Sequence, residues 1–150
     1  MKPHTLIKHT EINKPITEVF DFFGKAENLN ELTPPDLHFN IITPLPIAMK
    51  AGTIIDYKIR LGIIPMKWKT LISAWEPPFR FVDEQLSGPY VTWIHEHKFE
   101  YSGQKTKMTD TIQYVAPGLF LEPIVHNLFI KSKVNQIFEY REKRLKELFV

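Results

Sequence analysis

The residues of this chain best suited to chemistry are His95 and His97, and Asp110, which follows them across one short turn. From Tyr90 to Tyr101 the residues alternate in character. Trp93, His95, His97, Phe99 and Tyr101 share one face of an extended segment, and Thr92, Ile94, Glu96, Lys98 and Glu100 share the other. Successive strand residues point to opposite sides of a sheet, so the aromatic set with its two histidines is expected inward. Thr106 to Val115 alternates in the same way, with Met108, Asp110, Ile112 and Tyr114 inward and Lys107, Thr109, Thr111 and Gln113 outward. Gly103-Gln104 suits a two-residue type II′ turn, and a four-residue loop over Ser102 to Lys105 gives the same register. Either turn sets Phe99 opposite Met108, His97 opposite Asp110 and His95 opposite Ile112. Direct cross-strand neighbours have Cβ atoms about 4.5–5.5 Å apart, within reach of a hydrogen bond.

An inward carboxylate is costly unless paired, and His97 is the partner this register offers Asp110. One reading is catalytic: Asp110 orients His97, which takes a proton from a bound molecule. The other is a structural polar pair in a partly wet core, because no nucleophile or oxyanion site is recognisable beside it. The charge of Asp110 raises the His97 pKa, whereas burial lowers it. If the charge prevails, the stabilisation is full below the unfolded value of about 6.5 and fades as pH rises through the folded one. His95 and His97 with Asp110 also match the donor types of a metal site. The remaining histidines, His4, His9, His38 and His126, are scattered. The expectation is therefore no metal and no cofactor.

The inward set extends beyond this pair. Tyr57, Trp68 and Tyr114 fall on inward positions of their strands and carry polar tips that can orient a ligand in an apolar pocket. Toward the C-terminus, Ile124, Leu128, Val134, Phe138, Leu145 and Leu148 lie along one helical face. Arg141 lies on or beside that stripe, placed to pair with an inward acid, Asp83 or Glu84, or to anchor an anionic ligand head. The register of the Gly88-Pro89 turn leaves both acids open. The expected ligand-binding set is Tyr57, Trp68, Trp93, His95, His97, Phe99, Met108, Asp110, Tyr114, Phe138 and Arg141, with His97 and Asp110 as the candidate catalytic pair.

The elements that must position these groups follow from pattern and punctuation. Thr5 to Ile12 reads as a strand, and Pro15 suits the first turn of a short helix carrying Val19, Phe20, Phe22 and Phe23. Lys25 to Leu32 reads as a second short helix stopped by Pro34-Pro35. Leu37 to Ile42 is a plausible strand. From Gly52 the text alternates through further strands, over Ile55 to Leu61, Lys67 to Ile72 and Phe79 to Leu86, and then the hairpin described above. After Pro117-Gly118 the period becomes helical, predicting one long helix from about Leu121 to Phe149. The fold class is thus α+β: a curved antiparallel sheet of six or seven strands wrapped around a long C-terminal helix, with two short helices after the first strand. At 150 residues this is expected to be one domain, 1–150.

Composition narrows the function classes. The formal charge is only +2, and Lys67, Lys69, Lys105 and Lys107 alternate as solvated outer faces of strands do, so no nucleic-acid partner is expected. There is no cysteine, which excludes disulfides, thiolate catalysis and cysteine-ligated metal centres. No apolar stretch reaches the roughly 18–20 residues that span a bilayer, and no signal-peptide core follows Met1. The expectation is a cytoplasmic protein without a transmembrane segment.

The element order resembles the helix-grip fold of the START-like superfamily, also called SRPBCC. Local text carries the resemblance further: Val19-Phe20-Asp21-Phe22-Phe23, Leu32-Thr33-Pro34-Pro35, Gly52-Thr53-Ile54-Ile55-Asp56-Tyr57, Trp75-Glu76-Pro77-Pro78-Phe79-Arg80, Gly88-Pro89-Tyr90, Trp93-Ile94-His95-Glu96-His97 and Met108-Thr109-Asp110. These are similar to a bacterial SRPBCC subfamily of stand-alone proteins that also occurs fused to epimerase-like domains and is sometimes labelled cell-division inhibitor-like. The resemblance covers Ile7 to Phe149. It implies the fold and an epimerase-like protein as a partner, and it carries no catalytic motif onto these positions. Three function classes follow: a carrier or sensor for a small hydrophobic ligand (lipid, isoprenoid or polyketide-like), which is the leading one; a cyclase- or dehydratase-type enzyme using His97 and Asp110; and an interaction module without a ligand.

Overall fold

The computed structural model describes residues 2–149. Strand β1 (His4–Ile12) leads into helix α1 (Ile16–Phe23). Pro15 sits just ahead of α1 at φ −60°, one position earlier than expected, and its fixed φ already suits helix entry. Ile16, Val19, Phe20 and Phe23 recur at helical spacing and are buried. The second short helix is a 3-10 segment, Ala26–Leu32.

The strand expected over Leu37 to Ile42 shrinks to β2 (Asn40–Ile41). A 3-10 turn, Pro35–Leu37, occupies its start, and His38 then takes a left-handed φ of 47° that no strand accommodates. Strands β3 (Ile54–Leu61), β4 (Ile64–Glu76), β5 (Arg80–Ser87), β6 (Thr92–Ser102) and β7 (Lys105–Val115) follow. They form a seven-stranded antiparallel sheet in the order β1-β7-β6-β5-β4-β3-β2. The β6–β7 register is the expected one, pairing Phe99 with Met108, His97 with Asp110 and His95 with Ile112. Ser102 pairs with Lys105, so Gly103-Gln104 alone makes the turn. Gly103 has φ 67° there, the left-handed value a type II′ turn needs first.

The C-terminal segment is helical from Glu122 to Leu148, with a π turn inside it. It comprises α2 (Glu122–Val125), the π turn His126–Ile130 and α3 (Lys131–Leu148). In α3 the buried residues are Val134, Phe138, Arg141 and Leu145. Two members of the expected stripe do not join them, since Ile124 is 56% and Leu128 66% exposed. Neither lies on the face that Val134 continues, with or without the π turn. A continuous α-helix extended back from Val134 would bury positions 127 and 123, but the extra residue of the π turn moves that face to His126 and Glu122. Polar pairing stabilises this phase. His4 Nε2 bonds Glu122 Oε1 at 2.7 Å, the Tyr114 hydroxyl meets His126 Nε2 at 2.7 Å, and the His4 and His126 rings stack at 3.4 Å.

Two apolar clusters fill the space between sheet and helices. One gathers α1 with Phe81, Phe99, Met108, Leu145 and Phe149; the other gathers Ile59, Trp68, Trp93, Ile112, Tyr114, Val134 and Phe138. Lys67, Lys69, Lys105 and Lys107 all lie exposed on the outer side. Among the described residues, no helix is long and apolar enough to cross a membrane.

Candidate functional site

Between the two apolar clusters lies a buried polar group built from four elements. His95 and His97 come from β6, Asp110 from β7, Asp83 from β5 and Arg141 from α3. The antiparallel registers set Asp83 opposite His95 and His97 opposite Asp110. The shortest hydrogen bonds nevertheless run along the diagonals. His95 Nε2 meets Asp110 Oδ1 at 2.7 Å, and His97 Nε2 meets Asp83 Oδ2 at 2.5 Å. The direct pair is longer, with His97 Nδ1 3.3 Å from Asp110 Oδ1. Thus the predicted neighbours are neighbours, but Asp110 binds His95 more closely and His97 has Asp83 as its nearest acid. Of the two acids left open by the sequence, Asp83 is the one that turns to the histidines.

Aromatic rings hold the imidazoles in place. His95 and His97 stack at 3.6 Å, Phe81 stacks on His97 at 3.9 Å, and Phe138 meets His95 edge-on at 5.4 Å. Arg141 passes 5.1 Å above the Phe23 ring, close enough for a cation–π contact, and its guanidinium nitrogen lies 3.5 Å from Asp110 Oδ1. That nitrogen also lies 3.3 Å from His97 Nδ1. Both are donors when His97 is protonated, so the guanidinium then faces Asp110.

The charges of the group balance. Burial works against the ionised form of Asp110, but Arg141 and the hydrogen bonds of the two histidines hold its pKa well below the usual carboxylate value. Asp83 is likewise lowered, its burial outweighed by the hydrogen bond of His97 and the nearby positive groups. Burial also disfavours charge on His97, but its hydrogen bonds to the Asp110 and Asp83 carboxylates raise its pKa above the ordinary value. His95 goes the other way, to about 4, through burial and the neighbouring His97 charge. Two carboxylates, one guanidinium and one imidazolium sum to zero, so the group is neutral when His97 is protonated and His95 is not.

This group forms one end of a cavity of about 180 Å3 between β3–β6 and α3. That is smaller than the roughly 300–1,000 Å3 of pockets for drug-sized ligands, so the space suits a small molecule. Tyr57, Trp68, Trp93, His95, His97, Phe138 and Arg141 line it, as does Asp83. Phe99, Met108, Asp110 and Tyr114, expected on its wall, do not reach it. Phe99 and Met108 pack under α1, Asp110 stands behind the histidines, and Tyr114 bonds His126. The inward face of a sheet extends past any cavity, so alternation alone cannot separate wall from core.

Several wall residues are not apparent as such in the sequence. Phe22 and Phe23 from α1, and Leu29, Phe39 and Met49 from the segment before β3, close the cavity on that side. Their apolar character is plain, but Phe39 and Met49 lie on irregular backbone where no period gives a direction. Two donors on the wall have no protein partner among the described residues: Trp68 Nε1 and Arg141 Nε.

No protein-family model matches the chain, and no curated protein matches it in sequence. Solved structures do match in shape. An aromatase/cyclase from a Streptomyces species superposes with a TM-score of 0.75 at 11% identity, over 97% of this chain and 92% of that one. A major latex-like protein from Panax ginseng gives 0.71 at 12% identity, over 100% and 99%. A nucleoside-diphosphate sugar epimerase from Corynebacterium glutamicum gives 0.71 at 22% identity, over 95% of this chain but only 28% of that one.

Proposed function

We propose, from the premise that this chain has the helix-grip fold of the START-like superfamily, that it binds a small, mostly apolar molecule with a hydrogen-bond-accepting end. The observation that carries this reading is a mostly apolar cavity wall on which Trp68 and Arg141 each hold a buried donor without a protein partner, Trp68 Nε1 and Arg141 Nε. A buried donor without an acceptor costs about 1–3 kcal/mol, and a ligand carbonyl, hydroxyl or carboxylate would remove that cost on binding. The apolar wall supplies the remaining driving force at roughly 25 cal/mol per Å2 taken from water. Lipid fragments, isoprenoids and aromatic polyketide-like acids all have this chemistry.

A second reading is supported by the His97 and Asp83 side chains on the same wall. A cyclase or dehydratase needs a proton acceptor beside the bound molecule, and the neutral His95 or the Asp83 carboxylate would serve. The likeness to the Streptomyces aromatase/cyclase is one of fold and does not choose between the two.

The test is a thermal-shift screen of apolar acids and ketones, followed by mass spectrometry of each hit after incubation. Stabilisation with the ligand recovered intact supports the binding reading. Conversion that falls sharply in His95→Ala or Asp83→Asn replaces it with the enzymatic one. No stabilisation by any compound in the screen leaves an interaction role, for which an epimerase-like protein is the first partner to try.

A further inference from the structure

The polar group at the end of the cavity has a second property, independent of any apolar ligand. We infer that Asp83, His95 and His97 form a binding site for one divalent first-row transition-metal ion, with Asp110 as the carboxylate that orients both histidines.

Three donor atoms converge on one point. Asp83 Oδ2, one nitrogen of His95 and one of His97 all lie within 4.8 Å of one another. His97 Nε2 is 2.5 Å and His95 Nδ1 3.9 Å from Asp83 Oδ2. Ligands about 2.1 Å from a tetrahedral ion stand about 3.4 Å apart, between those two values. The two pairs that include Asp83 therefore need about an ångström or less of adjustment, and the pair of histidine nitrogens, within 4.8 Å, at most about 1.4 Å, within the reach of side-chain rotations. Two imidazoles and a carboxylate are a donor set that zinc and iron accept.

The far nitrogens give the site its specificity. A histidine ligates through a bare ring nitrogen, and the opposite nitrogen must then carry the hydrogen and find an acceptor. Here Asp110 Oδ1 lies 2.7 Å from His95 Nε2 and 3.3 Å from His97 Nδ1. One carboxylate thus accepts from the far side of both rings, which leaves His95 Nδ1 and His97 Nε2 as the nitrogens turned toward Asp83. Arg141, 3.5 Å from the same oxygen, keeps Asp110 ionised for that task. Asp110 thus lies beside the far nitrogen of both rings, and both remaining nitrogens face the one other acid of the group, Asp83. Asp83 is the outermost of the group, with 22% of its side chain exposed, and it borders the cavity. That side gives the ion an entry path and an open coordination position.

The experiment uses the whole chain, stripped with EDTA and titrated with Zn2+ by calorimetry, with imidazole 15N spectra recorded in parallel. The expected result is uptake of one ion per chain, with the His95 Nδ1 and His97 Nε2 resonances moved and those of His9, His38 and His126 unchanged. Asp83→Asn should abolish tight uptake, and Asp110→Asn, which leaves the three ligands in place, should weaken it about 10- to 100-fold. The spectra identify the ligands without any substitution, so a variant that fails to fold does not decide the matter. No uptake by the native chain, uptake registered at His4 and His126 instead, or unchanged affinity in a folded Asp83→Asn protein would each overturn the assignment. Binding of apolar compounds to the EDTA-treated protein is read separately, so the cavity and the metal site stand or fall independently.

Discussion

His95 donates its closest hydrogen bond to Asp110 at 2.7 Å, although the strand register sets Asp110 directly opposite His97. The diagonal wins because Asp83, on the other neighbouring strand, takes His97 Nε2. Each histidine thereby acquires its own near acid, and the group closes on itself across three strands.

The two histidines should titrate apart. In protein kept metal-free with a chelator, His97 should titrate above the ordinary value of about 6.5 and His95 near 4. Imidazole NMR from about pH 3 to about pH 9, a span that brackets the reference values, measures both. A shared pKa near 6.5 for the two rings would show that the group is open to water.

Stability should then peak at about pH 6.5. Below that value the His97 contribution is already complete, because its folded pKa is raised. His95 has a lowered folded pKa, so the unfolded chain binds more protons between 6.5 and about 4 and stability falls as pH drops through that window. The loss reaches about 3 kcal/mol, because each tenfold difference in proton affinity between the folded and unfolded chain is worth about 1.4 kcal/mol. Above 6.5 the His97 contribution fades as pH passes its folded value. Urea unfolding at stepped pH tests this, and His95→Phe should flatten the acid limb alone.

Asp110→Asn should destabilise the protein by about 3–5 kcal/mol, because it leaves the Arg141 guanidinium and the histidine proton buried without a countercharge. Asp83→Asn should cost clearly less, since water reaches part of that side chain. Denaturant midpoints of the two variants give the comparison; an equal or reversed order would place the stabilising charge at Asp83.

Trp68→Phe removes an N–H that has no protein partner, so the ligand-free protein should change by no more than about 1 kcal/mol. Ligand affinity should fall about fivefold, the value of one net hydrogen bond of about 1 kcal/mol. Titration with any hit from the screen supplies the number. An unchanged affinity would mean that the indole donor does not meet the ligand.

The phase of the C-terminal helix has its own consequence. Leu128→Ala should change stability by about 0.5 kcal/mol or less, since the side chain is mostly exposed, whereas Leu145→Ala should cost about 2–5 kcal/mol. A large effect at Leu128 would mean that its side chain is packed in solution rather than exposed.

The sequence by itself determined the sheet's inward faces, the β6–β7 register, and the long helix with Arg141 on its buried side. Each of these rests on short-range periodicity, which alternation of residue types records directly: a one-residue slip would have turned Asp110 outward and brought Lys107 and Thr109 into the core. Periodicity misleads where the backbone leaves its period. The π turn at His126–Ile130 and the left-handed His38 have no signature in the residue pattern, so pattern alone finds neither His126 and Glu122 on the buried face nor the shortening of β2. Only the tertiary structure decided that Asp83 and not Glu84 meets the histidines, because the β4–β5 register shifts and the Gly88-Pro89 connection set which face of β5 turns in. Likewise only the fold separated cavity wall from core. Phe99 and Trp93 occupy equivalent inward positions of one strand, and the difference between them is their surroundings: Phe99 is enclosed in the cluster with α1, whereas Trp93 packs against α3 in the other cluster and borders the cavity.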